Sequence, residues 1–367
     1  MYEFDHHDND PTLESADAFQ NDMDRWRAWA ARETQLRALL GHYILDGHIS
    51  QYTGGPTCQK HTTSTLHLPA SNEIFAASTS EQWKIKMRLE PLRHLPLWQV
   101  FSFTFSAHFP TKHLGTFRSA LEAALILEGI NSLIADAHVG PVTVVGSPSR
   151  KEITYALCRF HTQLSLSEAL IAVEKLQIEL RWHAVIIDTA IDFNRFCRKL
   201  CDKYKVRQSI FRRRREAKGF DLESWACSVT GRQSLLSAIA IHDTLSSVPL
   251  GITPSTHLAA SLFMGAVVYC GMLLSGMRTV SVPQHPDYES ILMLHNENGN
   301  LLHTVTDDGD LNFLRGAAVP QGVLKNLRYD INLFSMSLKN IANVWGVSAE
   351  MHQILHELLS AVNLAET

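Results

Sequence analysis

No two cysteines of this chain stand close enough to make a Cys-x-x-Cys pair. The six, Cys58, Cys158, Cys197, Cys201, Cys227 and Cys270, are separated by 99, 38, 3, 25 and 42 residues. A compact zinc cluster and a C2H2 finger both need ligand pairs at short spacing, so neither can be built here, although six is the number a binuclear cluster uses. A disulfide framework is excluded on other grounds. A chain of 367 residues needs no covalent staples, and the opening MYEFDHHDNDPTLES has no basic stretch followed by an apolar one. The expectation is an intracellular protein with reduced thiols.

Charge is scarce too. Only 19% of the residues are charged, against 45% hydrophobic, where ordinary soluble domains carry roughly 25% charged. This excludes a disordered chain and demands a large buried core. A formal net charge of −4 excludes a protein whose whole surface wraps nucleic acid. The recognised enzyme signatures are missing as well: there is no Gly-x-Ser-x-Gly, no Gly-x-x-x-x-Gly-Lys, no Gly-x-Gly-x-x-Gly after a strand and no His-Glu-x-x-His. Catalytic triads are spatial, so this does not exclude catalysis, but no residue argues for an enzyme. No catalytic, cofactor-binding or metal-ligating residue is assigned.

What is present is helical periodicity. The first 24 residues hold eight carboxylates and no Lys or Arg, which reads as a solvated acidic leader over 1–21; its His6 and His7 read as an exposed tail. From Asp24, Trp26, Trp29, Leu36, Leu40 and Tyr43 recur at three- and four-residue steps, predicting about five turns of helix ending near Gly47. Further helices are predicted over 116–135, 166–206, 231–246, 257–277, 321–345 and 348–363, with a strand where Phe101, Phe103 and Phe105 alternate. The fold class is all-α: one large multi-helix bundle over 22–365. Residues 258–277 carry no charge across twenty positions, which suits a buried core helix and is also long enough to span a bilayer. The glycines and serines within it favour the core. His352 and His356 share a helix face but lack a third ligand, and Asp307, Asp308, Gly309 and Asp310 read as a turn.

Residues 195–218 are the most asymmetric stretch. Eleven bases stand against two acids, a local charge of +9 that leaves −13 for the rest. Within it, Lys203, Lys205, Arg207, Arg212, Arg213, Arg214, Arg215 and Lys218 suit a nuclear-import signal or a phosphate-binding patch, and equally the solvated end of a long helix.

The segments RWRAWAARETQLRALLGHYILDGHISQYTGGP and LHLPASNEIFAASTSEQWK carry Trp26, Trp29, Glu33, Ile44-Leu45-Asp46, Gly55-Pro56, Leu68-Pro69, Phe75-Ala76 and Trp83. Trp225, Gly231-Arg232 and IAIHDTLSSVPLGITPSTHLAASLFMGAVVYCG follow. This pattern resembles the fungal-specific transcription factor domain, the middle homology region of zinc-cluster and some C2H2 regulators. The resemblance implies a regulatory domain of an RNA polymerase II transcription factor that works in the nucleus. It reaches DNA through a zinc-binding module that these residues do not contain, so no zinc is expected in this chain. Co-regulators, a small-molecule effector and a homodimer are the partners it implies; no membrane is. One departure is Thr34-Gln35, where the family often has basic residues. The alternatives kept beside it are an all-α metabolite-binding protein or enzyme derived from that domain, and a membrane-tethered protein using 258–277.

Overall fold

The computed structural model describes residues 21–53, 57–58, 64–90, 95–106, 115–139, 148–211, 219–249, 251–293 and 308–365. Among these are fifteen helices and one two-stranded sheet, so the class is all-α. The helices are α1 (Asp22–Thr53), α2 (Asn72–Phe75), α3 (Ser80–Leu89), α4 (Leu97–Phe105), α5 (Ala120–Val139), α6 (Arg150–Leu166), α7 (Ala172–Ala190), α8 (Phe193–Tyr204), α9 (Leu222–Cys227), α10 (Val229–Ser247), α11 (Leu258–Leu274), α12 (Tyr288–Met293), α13 (Asp308–Arg315), α14 (Leu327–Ile341) and α15 (Val347–Ala365). Strand β1 (Thr279–Val282) pairs antiparallel with β2 (Val323–Asn326), Thr279 opposite Asn326.

Two cores share one wall. The first gathers Leu40, Tyr43 and Ile44 of α1 with the apolar faces of α4, α5 and α6 and with Ile178, Trp182, Val185 and Ile186 of α7. The second gathers α8 through α11, α14 and α15 around Leu180, Ala184 and Ile187 of the same α7. Helix α7 is therefore buried on both sides, and every residue from Leu180 to Asp188 is inside. Helix α11 is buried from Leu258 to Met272 and beyond to Leu273, so the uncharged stretch is a core helix. No helix among the described residues is long and apolar enough to cross a membrane. Glycines let the helices approach: a Cβ on Gly129 would lie 2.0 Å from the Phe101 ring, and one on Gly231 would lie 2.1 Å from the Trp225 carbonyl oxygen.

Several boundaries differ from the sequence expectation, each for a local reason. The alternating phenylalanines are helical, not a strand. Pro96 opens α4, and Leu97, Val100, Phe101 and Thr104 face inward at helical spacing. The block 166–206 is not continuous although it lacks Pro and Gly. Ser167 ends α6, taking the Phe117 N–H at 2.8 Å on its hydroxyl, and Asp192 opens α8 by accepting from the Arg195 N–H at 3.0 Å. Such side chains offer the backbone an alternative to continued helix. Likewise 321–345 begins as β2, and Asn326 caps α14 by accepting from the Tyr329 N–H at 3.1 Å. Asp308 starts α13 in place of a turn, and α1 runs past Gly47 to Thr53.

Candidate functional site

At the wall between the cores lies a buried charged centre. Glu128 of α5 and Arg181 of α7 are each about 1% exposed. Arg181 grips the carboxylate with two parallel bonds, Nε to Oε1 at 2.6 Å and Nη2 to Oε2 at 2.7 Å. His48 of α1 adds a third, its Nε2 lying 2.9 Å from Oε1. With a carboxylate as acceptor, Nε2 carries the proton. Three helices thus meet on one carboxylate.

The electrostatics agree between the partners. Burial pushes the Glu128 carboxyl up, but the Arg181 guanidinium and the His48 imidazole outweigh it and hold it well below the usual carboxylate range. For Arg181, burial works against the charge and Glu128 more than restores it. Both groups are therefore ionised, as a bidentate pair in a dry setting must be. Tyr52, one residue beyond Gln51 on α1, is pushed up to about 12 by burial and by Glu128, with Arg181 opposing. His257 is held neutral, down to about 3, by burial and then by His48 and Arg181; its Nε2 meets the Gln177 carbonyl at 3.0 Å. Arg181 Nη1, Gln51 Oε1 and Asn194 Oδ1 are buried without a hydrogen-bond partner. Asn194 Nδ2 donates to the Gln51 carbonyl, so two of these three atoms belong to directly joined residues. Chemically the centre can orient a neutral hydrogen-bonding group; Arg181 is already neutralised by Glu128.

None of these residues was singled out in the sequence. The signal available was a lone carboxylate inside the apolar run Leu125, Ile126, Leu127, Glu128, and an arginine among Leu180, Trp182 and Val185.

The residues that were singled out fall elsewhere, in two groups. Trp26, Trp29 and Trp83 pack with Ala70 and Ile74 in a small satellite core, the Trp29 and Trp83 rings 5.6 Å apart. Glu33 accepts the Ala70 N–H at 3.0 Å while Arg37, bonded to Glu33 at 2.8 Å, donates to the Ala70 carbonyl at 2.7 Å. The pair clamps both backbone groups of the residue that follows buried Pro69. Asp46 accepts the Cys58 N–H at 2.7 Å, whereas Leu45 is exposed. Pro56 lies outside the described residues.

The second group is Trp225 and Gly231. The indole packs tilted against the Phe196 ring, centroids 4.3 Å apart and planes 39° apart, and stands against Gly271. Compared with protein-family models, with curated proteins and with solved structures, the chain has no match. Lys203, Lys205 and Arg207 are exposed at the end of α8 and just beyond it, Lys205 closing the helix in the left-handed region at φ 58°. Arg212, Arg213, Arg214, Arg215 and Lys218 lie outside the described residues. No group of three His, Cys, Asp or Glu that could hold a metal ion occurs among the described residues, which includes His352 and His356.

Proposed function

We propose that this chain is the regulatory domain of a fungal RNA polymerase II transcription factor, acting in the nucleus through a zinc-binding DNA module that the sequence does not contain. The observation that carries the reading is the coherence of the residues behind the resemblance. Trp26, Trp29, Glu33 and Trp83 build one satellite core, and Trp225 and Gly231 fix the approach of α8, α9, α10 and α11. The packed tryptophans and Gly231 act as joints of a large helical body. Such a body presents surfaces to co-regulators and can occlude or release an attached module. The exposed bases Lys203, Lys205 and Arg207 lead into the four-arginine run and supply the import signal.

The test fuses the chain to a heterologous DNA-binding domain and follows a reporter and the nuclear fraction. Activation or repression, with nuclear entry that falls when Arg212 to Arg215 are changed to Ala, is the expected result. A silent, evenly distributed fusion refutes it.

A second reading, a metabolite-binding body, is favoured by one observation: Arg181 Nη1, Gln51 Oε1 and Asn194 Oδ1 are unpartnered inside the fold, and such groups call for a water or a ligand. Small molecules released on denaturing the purified chain, compared by mass spectrometry with those from Arg181→Met, test it. Equal profiles speak against it.

A further inference from the structure

The two cores are joined a second time, away from the charged centre, by the six-residue helix α12. Its Ile291 belongs to the core of α8 through α15, its neighbour Leu292 to the core of α1 through α7, and Tyr288 packs against both. The Tyr288 ring meets His183 edge-on at 4.6 Å, and its hydroxyl donates to the Leu236 carbonyl of α10 at 3.3 Å. Glu289 fastens this helix to α6. Its Oε1 lies 3.0 Å from His161 Nδ1 and 3.3 Å from Thr162 Oγ1, and its backbone carbonyl accepts from Cys158 Sγ at 3.8 Å. The His161 imidazole lies flat on the buried Trp182 indole, centroids 4.2 Å apart and planes 17° apart. We propose that His161 and Glu289 form a proton-operated clasp that tightens the bridge between the two cores when the imidazole is charged.

The groups facing His161 set the sign. Glu289 and Asp287 come from the bridging segment, and Glu179 and His183 from α7. Cys158 and Thr162 share its own helix. At 3.0 Å from Glu289 Oε1, a protonated imidazole makes a charge-assisted bond to the carboxylate, stronger than the bond of the neutral ring. Cys158 is a neutral thiol, pushed up to about 12 by burial and then by Glu289 and Asp287. His183 is held neutral by burial and by His161, down to about 3, so it adds no competing charge while the bridge is closed. Opening the bridge uncovers His183 and lets it take up a proton in acid, which acts in the opposite sense. The measurement must therefore cancel its share. Histidine is the side chain whose charge changes across the neutral range, so the clasp is read on either side of it.

Hydrogen exchange reads the bridge directly, because the Ile291 N–H donates to the Asp287 carbonyl at 2.9 Å. Protection factors in α12 are measured at pH 5.5 and 7.5 for the full chain and for His161→Gln, with amides of α11 as the internal reference. Both residues are partly exposed, 28% for His161 and 41% for Glu289, so the changes do not excavate the core. The acid-to-neutral ratio for the unmodified chain, divided by that for His161→Gln, is expected to be about three- to fivefold, the range of a partly exposed charge-assisted hydrogen bond. Because His161 itself helps to hold His183 neutral, the share of His183 cancels in the quotient against Glu289→Gln, which keeps the His161 ring, and that quotient is expected in the same range. A quotient of one against Glu289→Gln overturns the clasp. It leaves the transcription reading untouched, since neither observation uses it.

Discussion

Replacing Arg181 by Met leaves the volume of the side chain in place and removes its charge, which makes it the sharpest probe of the buried centre. The Glu128 carboxylate then keeps only the His48 bond in a site about 1% exposed. Removing one partner of a buried ion pair costs about 3–5 kcal/mol, because the remaining charge stays uncompensated. Glu128→Leu should cost about the same, since it strands the guanidinium. In the double variant both charges are gone, and what remains is chiefly the unpaired His48 Nε2, worth about 1–3 kcal/mol. The cycle thus predicts that the double variant is no worse than either single one, with a coupling of at least about 3 kcal/mol. Urea denaturation followed by far-ultraviolet circular dichroism at pH 7 reads this as a midpoint fall of about 1 M or more for each single change, at a slope of about 3 kcal/mol/M. A single-variant cost below about 1 kcal/mol, or additivity of the two, would mean that water reaches the carboxylate. That result refutes the dry three-helix joint.

Other perturbations have equally definite signs. His183 and His257 are both held near 3 by burial, so the unfolded chain takes up protons below about pH 6.5 that the folded one refuses. Stability should be full above that pH and fall on acidification by up to about 1.4 kcal/mol per pH unit for each histidine; the depressed Glu128 carboxyl adds to the fall only below its ordinary range. His257→Gln should flatten the slope between pH 6.5 and 5 in urea titrations, and a chain equally stable across that window contradicts the burial of these rings. Gly231→Ala puts a methyl group 2.1 Å from the Trp225 carbonyl oxygen and should lower stability by about 1–3 kcal/mol, visible as a lower melting temperature; an unchanged one disproves the tight approach. Of the six thiols, only Cys58 and Cys227 are exposed, so a thiol reagent should modify two per folded chain and six after unfolding, with Cys58 slowed by its bond to Asp46 and the resulting rise in its pKa. Fast modification of a third points to opening near Cys158, Cys197, Cys201 or Cys270.

The bundle was legible in the sequence where burial follows a simple pattern. An uncharged run of twenty residues can be satisfied only inside protein or lipid, and α11 is inside. The Trp26 and Trp29 helix was legible for the same reason, a one-sided apolar stripe. Boundaries were lost where a polar side chain stops a helix without Gly or Pro. At Ser167 and Asp192 the cap depends on which N–H arrives, and that is settled by the tertiary fold for Phe117 and by one local turn for Arg195. The phenylalanines of α4 misled because three large rings at alternate positions outshone Leu97, Val100 and Thr104, whose spacing is the one burial obeys.

The charged centre was not legible because a polar residue on a helix ordinarily stays in water. Helix α7 departs from this, since nine consecutive residues from Leu180 to Asp188 are buried and include Arg181, His183 and Asp188. A helix enclosed on all sides cannot expose any of them, so each must find an interior partner or be neutral. Arg181 does the first with Glu128. His183 does the second through burial and His161, and burial likewise pushes the Asp188 carboxyl up even though it accepts the Phe193 N–H. The sequence sign of such a wall is a run too apolar for a surface helix that still carries an arginine and a histidine two residues apart. In this chain that sign marks both links between the cores: Arg181 leads to the ion pair with α5, and His183 lies under the bridge that His161 and Glu289 clasp.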